Sequence, residues 1–275
     1  MFFLKKNKIV THTYSPFGIP ADSFITSDCR IKVLIDPTPK YFKWQFMADT
    51  LRYDKILLIH GCEPPEINDV KNYVVRHGKR ITKVYSFDND VLKHVKGSEL
   101  FCFGSCWIIS RMKKDFEDHF DMEKDFKLSF IKSEKQQLQG HKLRHEIEGL
   151  LSKKYPFEIF FPKKRIESKL PLFKDSMFHV VVENCRCENY FTEKIIDCMI
   201  SYTVPLYWGC PNISGHFEAD GIIQFGSKEE LEDILNRLTP DDYYRRAASI
   251  KKNHEIAKDR YAFFFDRVNQ FISTL

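Results

Sequence analysis

The chain has 275 residues, room for one large domain or two of ordinary size. Hydrophobic residues at 43% and charged residues at 29% support a packed core and exclude disorder, while 11 Gly and 12 Pro exclude collagen-like or low-complexity architecture. The 43 Lys and Arg against 38 Asp and Glu leave a net charge of +5, scattered in pairs such as Lys113-Lys114, Lys163-Lys164 and Arg245-Arg246, without the basic stripe of a nucleic-acid binder.

The opening MFFLKKNKIVTHTY places lysines after a short apolar run, the wrong order for a secretory leader. No apolar run is long enough to cross a membrane, so the chain reads as soluble and cytoplasmic. Short β-rich runs then alternate with helical stretches. Strands are expected at Ile31–Ile35, Lys55–Ile59, Ile81–Phe87 and Leu100–Phe103, with helices at Glu66–Arg76 and Asp90–Val95. Charge density between Arg111 and Lys127 marks a boundary, which divides the chain into 1–124 and 125–275. The alternation resumes with strand Leu128–Ile131, helix His141–Lys153, and strands Phe157–Phe161 and Phe178–Val182. A helix from Thr192 to Tyr202 and strands Val204–Trp208 and Ile222–Phe225 follow. Two or three helices close the chain, one starting at Pro240 and the last covering Phe263–Leu275. Two α/β domains with parallel sheets result, and ligands of such sheets bind outside the carboxyl ends of the strands, here in a cleft between the domains.

The eight cysteines contain no C-x-x-C pair, and Cys185-x-Cys187 lacks a partner pair at zinc-finger spacing, so free buried thiols are expected. His141 and His145 have metal-compatible spacing, but Lys-Leu-Arg between them repels a cation, and no metal is expected there. Asp88-Asn89-Asp90 has the D-x-D form of a metal-binding glycosyltransferase motif. Two short acidic residues ahead of a helix are also ordinary N-cap chemistry, which is the favoured reading.

Neither G-x-G-x-x-G nor G-x-x-x-x-G-K-[ST] occurs. Instead a strand runs through a polar loop into a helix in FHVVVENCRCENYFTEKIIDCMISYTVPLYWG. Ile195, Ile196, Met199 and Ile200 form the buried side of that helix, and Glu193, Lys194 and Asp197 share the other. The first turn of a helix attracts a diphosphate, Lys194 adds a point charge, and Asn184 and Glu193 suit sugar hydroxyls. A surface helix with Lys194 paired to Asp197 is the competing reading.

VENCRCENYFTEK followed by VPLYWGCPNI resembles the donor-binding signature of the α-1,3/α-1,4-fucosyltransferases, glycosyltransferase family 10. Val182 stands where that family usually has Phe, and Cys185 where it usually has Ser. The resemblance is strong over residues 178–213 and implies a GT-B-like fold, two Rossmann-like domains facing a central cleft. It implies an inverting transfer of L-fucose from GDP-fucose to an acceptor glycan. The donor residues it implies are Arg144, Asn184, Tyr190, Glu193 and Lys194, with Lys142 as the alternative to Arg144. With Arg144 and Lys194 already neutralising the diphosphate, metal-independent transfer is expected, with GDP-fucose as donor substrate and no other cofactor. In the first domain KILLIHG runs into Cys62-Glu63-Pro64-Pro65-Glu66, and the resemblance puts a catalytic base at Glu63, with Glu66 the neighbouring alternative. The other functions open to this sequence are the same fold with another nucleotide-linked deoxysugar, or a catalytically silent sugar- or nucleic-acid-binding protein.

Overall fold

The computed structural model describes residues 9–13, 29–64, 66–110, 112–162, 164 and 166–275. The start of the opening segment, Pro65 of the Glu63 loop, and Lys163 of one basic pair lie outside the described residues. The chain divides into two compact units, one of residues 1–103 with 265–275, the other of residues 104–264. The boundary expected at 124/125 therefore lies about twenty residues earlier, and the last helix belongs to the first unit rather than the second.

In the first unit the elements run β1 (Ile9–Thr13), β2 (Ile31–Ile35), α1 (Pro39–Trp44), α2 (Phe46–Arg52), β3 (Lys55–His60), α3 (Lys71–His77), β4 (Lys83–Ser86), α4 (Asn89–His94) and β5 (Glu99–Leu100). The strands form one parallel sheet in the order β1-β2-β3-β4-β5. β2, IKVLI, and most of β3, KILLIH, are buried, as continuous apolar strands covered on both faces must be. Phe42, Phe46, Val74, Val84 and Val91 build the core against Leu34, Ile56 and Leu58.

The second unit continues with β6 (Asp125–Ser129), α5 (Gln139–Leu150), β7 (Glu158–Phe160), α6 (Leu170–Phe173), β8 (Ser176–Val182), α7 (Glu193–Ile200), β9 (Val204–Trp208), β10 (Ile223–Gln224), α8 (Lys228–Arg237), α9 (Asp241–Tyr244) and α10 (Ala247–Arg260). Its sheet is also parallel, ordered β10-β9-β8-β6-β7. The final helix, α11 (Phe264–Ser273), stacks Phe271 on Tyr85 at 3.7 Å and sets Arg267 over Phe101 at 4.0 Å.

Several elements depart from expectation. The helix expected from Glu66 starts only at Lys71, because Pro64 O accepts the N–H groups of both Ile67 and Asn68 and closes a turn first. α1 and α2 were not anticipated, their aromatic residues disguising the helical period, and the tail holds four helices where two or three were expected. Among the described residues no helix is long and apolar enough to cross a membrane.

Candidate functional site

Strand order locates the site of the second unit. After β6 the chain goes to β7 on one side and then to β8 on the other, so the sheet reverses direction between β6 and β8. Loops leaving two such strands at their carboxyl ends part in opposite directions and open a crevice. A cavity of about 320 Å³ lies there, lined by Ile131, Lys132 and Ser133 beyond β6 and by Val182 and Asn184 at the end of β8. Lys135, Arg144, Lys169, Glu193 and Lys194 complete its charged wall, so cations outnumber acids around it.

Each charged group has a traceable support. Arg144, on α5, is buried and donates from Nε (3.1 Å) and Nη2 (2.6 Å) to Val182 O, and from Nη2 to Asn184 Oδ1 (2.9 Å). Gly140 lets α5 approach: its N–H reaches Asn184 O at 3.1 Å, and a Cβ there would stand 1.7 Å from Glu183 O. His141 accepts the N–H of Leu138 at Nδ1, and burial, with Arg144 and nearby lysines, lowers its pKa to about 4, so the ring is neutral at pH 7.

α7 begins with Thr192 as N-cap, its hydroxyl accepting the N–H of Lys194. Glu183, fully buried after β8, accepts the N–H (2.9 Å) and hydroxyl (2.7 Å) of Thr192 and so fixes the helix start. Lys194 Nζ lies 3.6 Å from Glu183 Oε2 and 3.5 Å from Glu193 Oε1. Lys169 adds a second cation, 3.4 Å from Glu193 and 3.5 Å from Asp197, with its ammonium 4.6 Å from the centre of the Trp107 ring. Burial pushes the Glu193 carboxyl up, but Lys194, Lys169 and the Thr192 hydroxyl outweigh it and hold the pKa down at about 2. Asp197 behaves oppositely. Burial raises it to about 6 despite Lys169 and the Trp107 N–H. The pairing of Lys194 with Asp197 is therefore replaced by Lys169 with Asp197 and Lys194 with Glu183 and Glu193.

Of the residues expected on the donor, Arg144, Asn184, Glu193 and Lys194 meet at this cavity. Tyr190 is 1% exposed and lies within the loop rather than on the cavity wall, and Lys142 is exposed. Glu183, Lys169 and Gly140 were not anticipated from the sequence. Glu183 carried the same signal as Asn184, a polar residue directly after a buried strand. Lys169 sits in a loop without periodicity, and nothing local marks it.

Glu63 belongs to the first unit. It follows β3 beyond Gly61, whose φ of +99° suits glycine. Asp36, buried at the end of β2 with φ +47°, accepts the N–H of Gly61 at 2.7 Å and that of Glu63 at 2.6 Å. Two strand ends are thereby tied together, and Glu63 is held half-buried while Glu66 stands exposed in the next turn.

Asp88 is an N-cap. Its carboxylate accepts the N–H groups of Asp90 and Val91, and Lys71 lies 3.8 Å from Asp88 and 2.9 Å from Asp90. His145 faces Lys135 O rather than His141, and no group of three or more metal-ligating side chains occurs among the described residues. The cysteine pair Cys185 and Cys187 brings its sulfurs to 3.2 Å as thiols, and six of the eight cysteines are buried.

Residues 137–263, from the start of α5 past the end of α10, match the family described as glycosyltransferase family 10 (fucosyltransferase) C-term. Over that segment, just under half of its length, the chain is similar to glycosyltransferase family 10. The chain is 27% identical over 73 residues to the α-(1,3)-fucosyltransferase FucT of Helicobacter pylori, a stretch that covers 26% of this chain and 15% of that protein. It is 34% identical over 67 residues to an α-(1,4)-fucosyltransferase of Arabidopsis thaliana, covering 23% of this chain and 17% of that one. The matched stretches are thus less than a fifth of these curated relatives. A crystal structure of an α1,3-fucosyltransferase superposes with TM-score 0.54 at 16% identity, over 89% of this chain and 77% of that one. The Anabaena protein HepE, crystallised with UDP and glucose, gives 0.60 at 12% identity over 89% and 78%. Both likenesses are of fold. The chain has the GT-B type of architecture, two α/β units each built on a parallel sheet.

Proposed function

We propose that the protein transfers L-fucose from GDP-fucose to a hydroxyl of an acceptor glycan, with inversion at the anomeric carbon. The observation that carries this reading is the cation-rich cavity at the β6/β8 strand reversal, whose Arg144, Lys169, Asn184, Glu193 and Lys194 lie in the segment matched to the fucosyltransferase family. A GDP diphosphate there meets Lys194 and Lys169 beside the first turn of α7, with Arg144 holding the loop that carries Asn184. Asn184 and Glu193 offer hydrogen bonds to sugar hydroxyls. Tyr190, buried within the loop and off the cavity lining, is assigned no contact with the donor.

The acceptor oxygen forms its bond to the anomeric carbon as the carbon–oxygen bond to the diphosphate breaks, the electron pair leaving with GDP. Glu63 takes the acceptor proton. Charge building on the departing diphosphate is met by cations already in place, so leaving-group departure needs neither an acid nor a bound metal. A single base on the face opposite the leaving group then suffices.

The deciding experiment is a screen of nucleotide sugars for release of free nucleotide, with and without an acceptor and with and without EDTA. GDP release from GDP-fucose, raised by acceptor, is the expected result. Turnover of a different nucleotide sugar would reassign the donor, and salt-dependent oligonucleotide binding without any turnover would replace the enzyme reading altogether.

A further inference from the structure

The helices α1 and α2 of the first unit present two apolar faces, and only one meets the core. Tyr41, Phe42 and Phe46 point inward and pack with the strands of the sheet. Away from the core, Lys40 and Trp44 stand four residues apart on α1, and Met47 and Leu51 four apart on α2. Trp44 is 81% exposed, Leu51 85% and Met47 45%. A lone exposed leucine is ordinary, whereas a stripe with a tryptophan on a charged rim is a contact surface.

The rim is cationic. Lys40, Lys43 and Arg52 are exposed and, among the described residues, enter no ion pair. The nearby acids are already engaged: Asp49 is buried, bonded by Tyr41 Oη at 2.7 Å with Lys32 at 3.5 Å, and Asp54 pairs with Arg30 at 2.9 Å. The matching surface must therefore offer hydrocarbon and negative charge together.

We propose that the α1–α2 face docks on an anionic lipid surface, lying in the headgroup layer without spanning it. Trp44 suits the boundary between water and acyl chains, Met47 and Leu51 enter beside it, and Lys40, Lys43 and Arg52 meet lipid phosphates. Apolar insertion and charge attraction together form the pair of signals that stable peripheral binding requires. A bilayer is favoured over an acidic protein because the tryptophan and leucine project almost fully, and a bilayer needs no matching groove to receive them. Lipid docking at this face does not depend on what the donor cavity binds.

Co-sedimentation with vesicles of phosphatidylcholine, alone or mixed with phosphatidylglycerol, tests it. The protein should pellet with the mixed vesicles and be released by high salt, since each cation near an anionic surface contributes about fivefold to binding. Trp44→Ser/Leu51→Ser and Lys40→Glu/Lys43→Glu should each lower partition by about tenfold or more, with unchanged thermal melting because all four positions are on the surface. A blue shift of tryptophan emission on adding mixed vesicles should vanish in Trp44→Phe, which removes the reporter without disturbing the core. Failure to pellet with either vesicle, or pelleting undiminished by Trp44→Ser/Leu51→Ser, would overturn the proposal. A concentration-dependent dimer abolished by Trp44→Ser/Leu51→Ser, without lipid partition, would instead assign the face to a second copy of this chain.

Discussion

Arg144 and Val182 are joined by two donors on one acceptor: Nε at 3.1 Å and Nη2 at 2.6 Å both reach the carbonyl that ends β8. The same Nη2 holds Asn184 Oδ1, so one guanidinium spans the strand end and the start of the donor loop. Its first task is to shape the cavity, and any phosphate contact comes from a group already immobilised by the protein.

Lysine should not replace it. Arg144→Lys keeps the charge but loses the planar fork, leaving Val182 O and Asn184 without their buried donor. An unsatisfied buried carbonyl costs roughly 1–3 kcal/mol, so the melting temperature should fall and GDP affinity with it. Calorimetric GDP binding equal to that of the parent would show that Arg144 shapes nothing the nucleotide uses.

Lys194→Ala tests the first turn of α7. GDP affinity and transfer should weaken together, because one cation serves both the bound donor and the leaving group. The stability of the variant also carries a sign. Glu193 is held at about 2 in the fold, below its ordinary value near 4.5, so its contribution is complete above that ordinary value and lost as pH falls toward 2. With Lys194 removed the folded pKa rises and that window narrows. Melting curves between those limits should show the parent losing more stability on acidification than Lys194→Ala does. Parallel curves would mean that the ion pair contributes nothing to the pH dependence.

Asp88 and Asp90 supply a test of metal use. Asp88 is committed to capping α4 and Lys71 sits against both carboxylates, a cation where a metal would have to be. Transfer should survive EDTA at full rate. Complete loss restored by Mn²⁺ would make the pair ligands and require a different stabiliser for the leaving diphosphate.

The alternation of buried strands and helices, and with it the α/β class, was legible because parallel strands covered on both faces must be continuously apolar, as in VLI of β2 and VVV of β8. The α7 start was legible for a local reason, since strand, polar loop, Thr192 cap and helix follow one another directly in sequence. Lys169 was not. It reaches Glu193 and Asp197 from a loop that precedes them by more than twenty residues, and only the fold brings those charges together. The Glu66 helix failed because Pro64 closes a turn with Ile67 and Asn68, a preference that outweighs the helical pattern downstream. Strand order, which places the cavity between β6 and β8, is a property of topology and leaves no mark on any single segment.

The base is tested by a pair of variants and a support. Glu63→Gln keeps size and hydrogen bonding but removes basicity, and general-base catalysis supplies about 10²–10⁴ in rate. Turnover should fall by that factor, roughly 3–5 kcal/mol of barrier. GDP affinity should hold, since the cations assigned to the diphosphate all belong to the second unit and Glu63 to the first. Glu66→Gln, in an exposed turn, should cost little. Asp36 supplies the third arm, because its two carboxylate oxygens take the N–H groups of Gly61 and Glu63. In Asp36→Asn one oxygen becomes an NH₂ facing an N–H, so the loop must shift and transfer should fall with GDP binding unchanged. Burial raises the Asp36 carboxyl to about 7 against the pull of those N–H groups. The folded protein therefore keeps a proton that the unfolded chain has lost, and stability should decline from about pH 4 to about pH 7 in the parent but not, from this source, in Asp36→Asn. If Glu66→Gln is the inactive variant and Glu63→Gln turns over normally, the base lies three positions further along. If both remain active while transfer is real, the acceptor proton goes to another group, and Asp36 holds a loop that serves only the fold.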